Sequence, residues 1–214
     1  SEKGLPVRTQ VSYVLPSAFD IVEEDLRQKT EASFAAMIAG QRIADDGAAS
    51  PPYLLMTGFI GTALICKALS ESGHTDIAYR LLQQTSYPSW LYPVEQGATT
   101  IWERLNSYTH TDGFGGNNAM NSFNHYSFGA VAAWMYNNSL GIERDEDYPG
   151  FKHFILQPEP DPTGEMKYAG GYYDSMYGRI ESSWEIKNNV CHYSFVIPAN
   201  TTATLYLNAL SAND

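Results

Sequence analysis

The chain has 214 residues, 43% of them hydrophobic, and a formal net charge of −11 at pH 7. It is long enough to bury one sizeable core, or a helical body with a small second domain. The acidic balance argues against a nucleic-acid backbone and against an anionic membrane surface, both of which need a basic face, so a neutral partner fits best.

Residues 1–6 enter abruptly and read as the middle of a longer polypeptide, so the lack of a leader or an apolar spanning run says little. Residues 11–22 form an apolar segment interrupted by Pro16. In 23–40, Leu26, Thr30, Phe34, Met37 and Ile38 recur at helical spacing, with Glu23, Arg27, Lys29 and Glu31 on the wet side and Gly40 as the stop. Residues 45–52 are a loop by composition. A helix is expected over 57–72, with Phe59, Ala63, Cys66 and Leu69 on one face. Gly73 suits the residue after its end, and Thr75 the cap of a helix over 76–84. A junction this short makes the two helices antiparallel neighbours.

The stretch Gly97-Ala98-Thr99-Thr100-Ile101-Trp102-Glu103-Arg104 carries the most chemical information. Its small residues read as a tight turn or a helix start. One carboxylate then stands between a large ring and a guanidinium. Trp102 can exclude solvent and Arg104 can hold the charge, which suits a poised acid or base. The same triplet also serves at a helix start as capping plus an ion pair. Residues 112–118 form a polar, Gly-rich loop, and a helix is expected over 124–138, carrying Phe128, Val131, Ala132 and Met135 with Trp134 beside them. Paired antiparallel helices with polar motifs on the connecting loops point to a helical toroid.

The pattern changes near 144–150, dividing the chain into a helical part, 1–147, and a strand-rich part, 148–214. Residues 179–187 alternate strictly, with Ile180, Ser182, Trp184 and Ile186 on one face. Asn188-Asn189 is a two-residue hairpin turn. The return strand directs Cys191, Tyr193, Phe195 and Ile197 inward. After a turn at 198–200, a strand over 202–207 directs Ala203, Leu205 and Leu207 inward. The expected fold is mainly α followed by β: part of an (α/α)6 barrel, then an antiparallel β-sandwich domain with too few strands before 211–214 to be complete. Cys66 and Cys191 read as small buried hydrophobes. The five histidines show no metal-ligand spacing, so neither metal nor cofactor is expected. Fifteen tyrosines and four tryptophans fit stacking on the apolar face of a sugar, and equally fit a Tyr-rich β-domain without a ligand.

Three stretches together resemble the bacterial α-L-rhamnosidases of glycoside hydrolase family 78. They are Thr57-Gly58-Phe59-Ile60-Gly61-Thr62 with the helix at 74–82, Tyr87-Pro88-Ser89-Trp90 leading into the Ala-Thr-Thr-Ile-Trp-Glu string, and Ser122-Phe123-Asn124-His125-Tyr126. Gln10-Val11-Ser12-Tyr13 also fits. The resemblance covers most of the chain and implies a six-hairpin (α/α)6 barrel followed by a β-domain. It implies hydrolysis of terminal α-L-rhamnosides with inversion, by two carboxyls about 6.5–9.5 Å apart. On that likeness Glu103 is the general base and His125 bonds a rhamnose hydroxyl. Asn124, Trp90, Trp102 and Arg104 are further candidates for substrate contact. The adjacent Arg104 favours a charged base, whereas Trp102 opposes it. The chain departs from the family in lacking the upstream acidic motif that supplies the general acid, and in having Leu105 where a second Trp usually follows.

The expected partners are a rhamnoside and the rest of the same polypeptide, with neither nucleic acid nor membrane. The alternatives are another helical-toroid glycosidase, a polysaccharide lyase, or a non-catalytic carbohydrate-binding protein. A lyase would want cations in its cleft, and 13 Lys plus Arg disfavour it. A binding module is distinguished by whether acidic helix-start motifs lie upstream. A purely structural domain is disfavoured by the Gly-rich loop between the two site segments. The sequence leaves localisation open.

Overall fold

The computed structural model describes residues 9–43, 49–115 and 119–208, the backbone alone at 42–43. The expectations on 1–6, 45–48, 116–118 and 211–214 lie outside the described residues. The chain divides into two compact units, 1–131 and 132–214.

In the first unit, α1 (Gln10–Ala18) opens on a capping box in which Thr9 and Ser12 bond each other's backbone N–H. Pro16 does not interrupt this helix. It lies in the last turn, where its missing N–H costs one bond, and the chain leaves at Asp20 with φ +54°. Gln10 is buried and satisfied at both ends: Nε2 donates to Leu54 O at 2.6 Å, and Oε1 accepts from Met56 N–H at 2.7 Å. One side chain of α1 thereby holds the segment leading to α3. α2 (Glu24–Ala39) buries Phe34, Ala35 and Ile38 against α1, with Phe34 stacked on Tyr13. Gly40 follows it in an extended rather than left-handed conformation. Two short strands, β1 (Arg42–Ile43) and β2 (Ala49–Ser50), then pair antiparallel.

The single helix expected over 57–72 is two helices, α3 (Gly58–Thr62) and α4 (Ile65–Glu71). Hydroxyls explain the break. Thr62 Oγ1 donates to Gly58 O at 2.6 Å and lies 2.9 Å from Thr57 Oγ1, in competition with the helical ladder across two helix-poor glycines. The change of axis leaves Ala63 exposed, while Cys66 and Leu69 stay in the core. Burial pushes the Cys66 thiol up, which keeps it protonated and inert. Gly73 ends α4 as expected; α5 (Thr75–Gln83) follows with His74, rather than Thr75, at its cap position. α4 and α5 pack together, burying Ile77, Ala78, Tyr79, Leu81 and Leu82. α6 (Leu91–Glu95) is the last helix before the chemically informative stretch.

The helix expected over 124–138 is irregular. A 3-10 segment, Tyr126–Val131, is followed by α7 (Ala132–Trp134) and a π turn, Met135–Ser139. Phe128, Val131 and Trp134 are buried, whereas Ala132 and Met135 are exposed. The repeated change of helical pitch scrambles the 3.6-residue register on which the expectation rested.

The second unit is a sandwich of two three-stranded sheets. β3 (Ile142–Arg144), β4 (His153–Leu156) and β8 (Thr202–Leu205) form one sheet; β5 (Tyr168–Ser175), β6 (Gly178–Lys187) and β7 (Val190–Val196) form the other. Both sheets contribute to the core of Ile142, Phe154, Leu156 and Ile180, joined by Leu140 from the end of the π turn, with Ala169, Phe195 and Ala203 packed on it. The alternation in β6 is as expected, with Ile180, Ser182 and Trp184 buried and Ile186 half-buried. Asn188 and Asn189 both have positive φ, as a type I′ turn requires. Trp184 Nε1 donates to Ser139 O at 2.8 Å, and Ser182 Oγ donates to Leu140 O. Gly141 sits at a backbone crossing with φ +69°, where an added Cβ would come within 2.1 Å of Gln157 C and Pro158 N. Only glycine fits there.

Two details of the strand reading are corrected. Ile197 lies beyond β7 and is exposed, and Leu205 and Leu207 are exposed as well. The turn at 198–200, with Asn200 at φ +62° and Thr201 N–H on Pro198 O, redirects the chain to the other sheet. There β8 runs parallel to β4 as an edge strand instead of continuing a hairpin. His153 holds this pair, with Nδ1 at 2.8 Å from Thr202 Oγ1 and Nε2 at 3.1 Å from Thr204 Oγ1.

Candidate active site

The residues singled out from the sequence lie in the first unit, on backbone that is neither helix nor regular strand. Gly97, at φ +85°, closes α6 in a Schellman motif: Ala98 N–H reaches Pro93 O and Gly97 N–H reaches Val94 O, each at 2.9 Å. The stretch is therefore a tight turn and not a helix start. Capping by the Trp-Glu-Arg triplet has no helix to act on.

From this turn, residues 100–104 run antiparallel to 121–125, and the two segments are laced together. His125 N–H donates to Ile101 O, and Glu103 N–H donates to Ser122 O, both at 2.9 Å. Thr100 Oγ1 donates to Phe123 O. Ser122 N–H donates to Glu103 Oε2 at 2.9 Å, and Arg104 Nη2 donates to Asn121 Oδ1 at 3.0 Å. Arg104 also folds the chain back on itself: its N–H meets Ser107 Oγ at 3.3 Å, and its carbonyl accepts from Ser107 N–H at 3.0 Å. Ser107 is fully buried, so this turn is fixed to the interior.

Glu103 is half-buried. Its Oε2 is held by a main-chain donor, and its Oε1 takes no hydrogen bond from the described residues. A carboxylate anchored through one oxygen is restrained in rotation while the other stays available to a water or a ligand. Trp102 is buried and meets Phe123 edge-on at 5.1 Å. The aromatic row continues through Phe114 to Tyr108, with centroids 5.6 and 5.2 Å apart. Leu105 is buried. Trp90 is half-buried, and its indole N–H donates to Phe128 O at 2.8 Å, tying the 3-10 segment to the turn before α6.

His125 lies between rings. It stacks on Phe59 of α3 at 4.7 Å with planes 25° apart, and nearly parallel to Tyr126 at 6.1 Å. Its Nδ1 is buried and has no hydrogen-bond partner among the described residues. Asn124 is exposed, its N–H on Ser122 Oγ at 3.2 Å.

The structure thus joins Trp102, Glu103, Arg104, Asn124 and His125 in one laced pair of segments, with Trp90 bonded to Phe128 just beyond them. Sequence reasoning missed the parts that do the holding. Phe59 reads as a core residue by helical spacing, and Asn121 and the Ser122 N–H have no periodic signal linking them to position 103. Among the described residues no cluster of three His, Cys, Asp or Glu could hold a metal ion, and no helix is long and apolar enough to cross a membrane.

Comparison with known proteins adds the family. A model of the bacterial α-L-rhamnosidase six-hairpin glycosidase domain matches residues 1–139, and a model of the bacterial α-L-rhamnosidase C-terminal domain matches 141–214. An α-L-rhamnosidase of Formosa agariphila is 40% identical over 197 residues, covering 92% of this chain and 20% of its own length. One of Streptomyces avermitilis is 35% identical over 201 residues, covering 94% and 18%. The crystal structure of the Streptomyces avermitilis α-L-rhamnosidase complexed with L-rhamnose matches at TM-score 0.81 and 36% identity, over 96% of this chain and 18% of that one. The Aspergillus terreus α-L-rhamnosidase matches at TM-score 0.80 and 31% identity, over 94% and 22%. The chain therefore spans about a fifth of the length of the curated relatives it matches. With a six-hairpin domain followed by a C-terminal β-domain along its whole length, it belongs to the bacterial α-L-rhamnosidase family.

Proposed function

We propose that the complete protein hydrolyses terminal α-L-rhamnosides with inversion, and that this chain supplies the general base, Glu103. The observation that carries the proposal is the half-buried carboxylate held by the Ser122 N–H through Oε2, with Oε1 left for a water. In the reaction, Oε1 takes a proton from water as the water oxygen attacks the anomeric carbon. The glycosidic C–O bond breaks on the opposite face, and the leaving oxygen receives a proton from a second carboxyl. That acid is assigned to a part of the protein outside this chain.

His125 is assigned to a rhamnose hydroxyl through Nε2, its ring kept in place by Phe59. Asn124 is its polar neighbour, while Trp90, Trp102 and Arg104 shape and brace the cleft. L-Rhamnose in the crystal structure of the Streptomyces avermitilis relative supports this sugar as the ligand. The test is hydrolysis of an aryl α-L-rhamnoside by the full-length protein, followed by NMR from the first turnovers. The expected first product is β-L-rhamnose. Release of the α-anomer, or no release at all, would overturn the reading.

A further inference from the structure

We infer that Arg104 and Asn121 are a positioning pair for Glu103, fixing which of its oxygens faces the water. The inference deepens the general-base reading and rests on it. The donor to Glu103 Oε2 is a main-chain N–H, that of Ser122, so its direction depends on how the backbone at 121–122 is held. That backbone is gripped from two sides. Glu103 N–H bonds Ser122 O at 2.9 Å, and Arg104 Nη2 bonds the Asn121 side chain at 3.0 Å. Adjacent residues on one segment thus hold adjacent residues on the other. Arg104 is itself tied to fully buried Ser107 through both its N–H and its carbonyl. The rigidity of the interior reaches Asn121 from Ser107 by two routes, through Arg104 and through the Asn121 Nδ2 bond to Ser107 O at 3.5 Å, and passes on to the Ser122 N–H and Oε2. Oε1 is left as the oxygen that accepts the proton. Arg104 acts here through planar geometry and directed donors, which a lysine does not reproduce.

The test uses the complete enzyme on an aryl α-L-rhamnoside. Asn121→Leu removes both the acceptor for Arg104 and the donor to Ser107 O while leaving Glu103 and His125 intact. A carboxylate released from its anchor loses alignment, so kcat is expected to fall on the order of a hundredfold with KM nearly unchanged. Asn121→Asp keeps the acceptor and should stay within about threefold of wild type on the same reasoning. Combining Asn121→Leu with Glu103→Gln should cost no more than Glu103→Gln alone, because both changes disable one device. A merely structural Asn121 gives a different pattern: a lower Tm and unchanged kcat per folded molecule in Asn121→Leu. That pattern overturns the inference. Should Asn121→Leu fail to fold, Arg104→Lys is the second probe, with the same fall in kcat expected and unchanged kcat overturning the inference. Glu103→Gln alone separates the two claims. If it retains turnover, the base assignment fails; if it is inactive while Asn121→Leu behaves as wild type, only the positioning pair fails.

Discussion

The segments 100–104 and 121–125 and the β5-β6-β7 sheet are both antiparallel pairings, but they are stabilised in opposite ways. In the sheet, β5 with β6 and β6 with β7 pair residue by residue through a regular ladder, and alternate side chains enter one core. Losing any one contact there lowers stability without redirecting another group. In the site segments, main-chain and side-chain bonds alternate, and each fixes the direction of a particular group. A regular ladder makes a scaffold; an irregular one aims functional atoms.

That contrast can be broken most directly at Glu103. Glu103→Gln in the complete enzyme should keep the circular dichroism spectrum and Tm and lower kcat by about 10²–10⁴-fold. Wild-type turnover of an aryl rhamnoside would remove this residue from the chemistry. Trp184→Ala tests the scaffold side. It leaves a cavity in the sandwich and removes the indole hydrogen bond to Ser139 O, so urea unfolding should show a loss of about 3–5 kcal/mol, with kcat per folded molecule unchanged. Phe59→Ala lies between these cases. Removing the ring on which His125 stacks should raise KM about tenfold, with a smaller effect on kcat. Asn189→Ala should have the smallest effect. It forces alanine into a left-handed turn position and should cost about 1 kcal/mol in denaturant, whereas Asn189→Gly should be close to neutral.

The sequence was most legible where structure is periodic. The alternation from Ile180 to Ile186, the Asn188-Asn189 turn and the α4–α5 junction at Gly73 follow from two-residue and 3.6-residue spacing together with left-handed turn chemistry. Reading stopped where one residue answers to a distant one. The turn at Pro198–Asn200 gives no local sign that β8 will join β4 instead of β7, since the decision lies in the His153 bonds to Thr202 and Thr204. Thr57 and Thr62 break a helix through hydroxyls that a hydrophobic pattern does not register. At the site, Glu103 and His125 stand out by motif. Asn121 and Phe59 do not, because their contribution is a direction imposed on a partner 17 or more positions away.

The Ser122–Glu103 bond has a consequence for how this protein can vary. Its donor belongs to the polypeptide itself, so nineteen of the twenty amino acids can occupy position 122 and still present it; proline alone deletes it. A change at 122 other than to proline therefore spares this donor, while the side chains at 104 and 121 that hold its backbone carry the restriction.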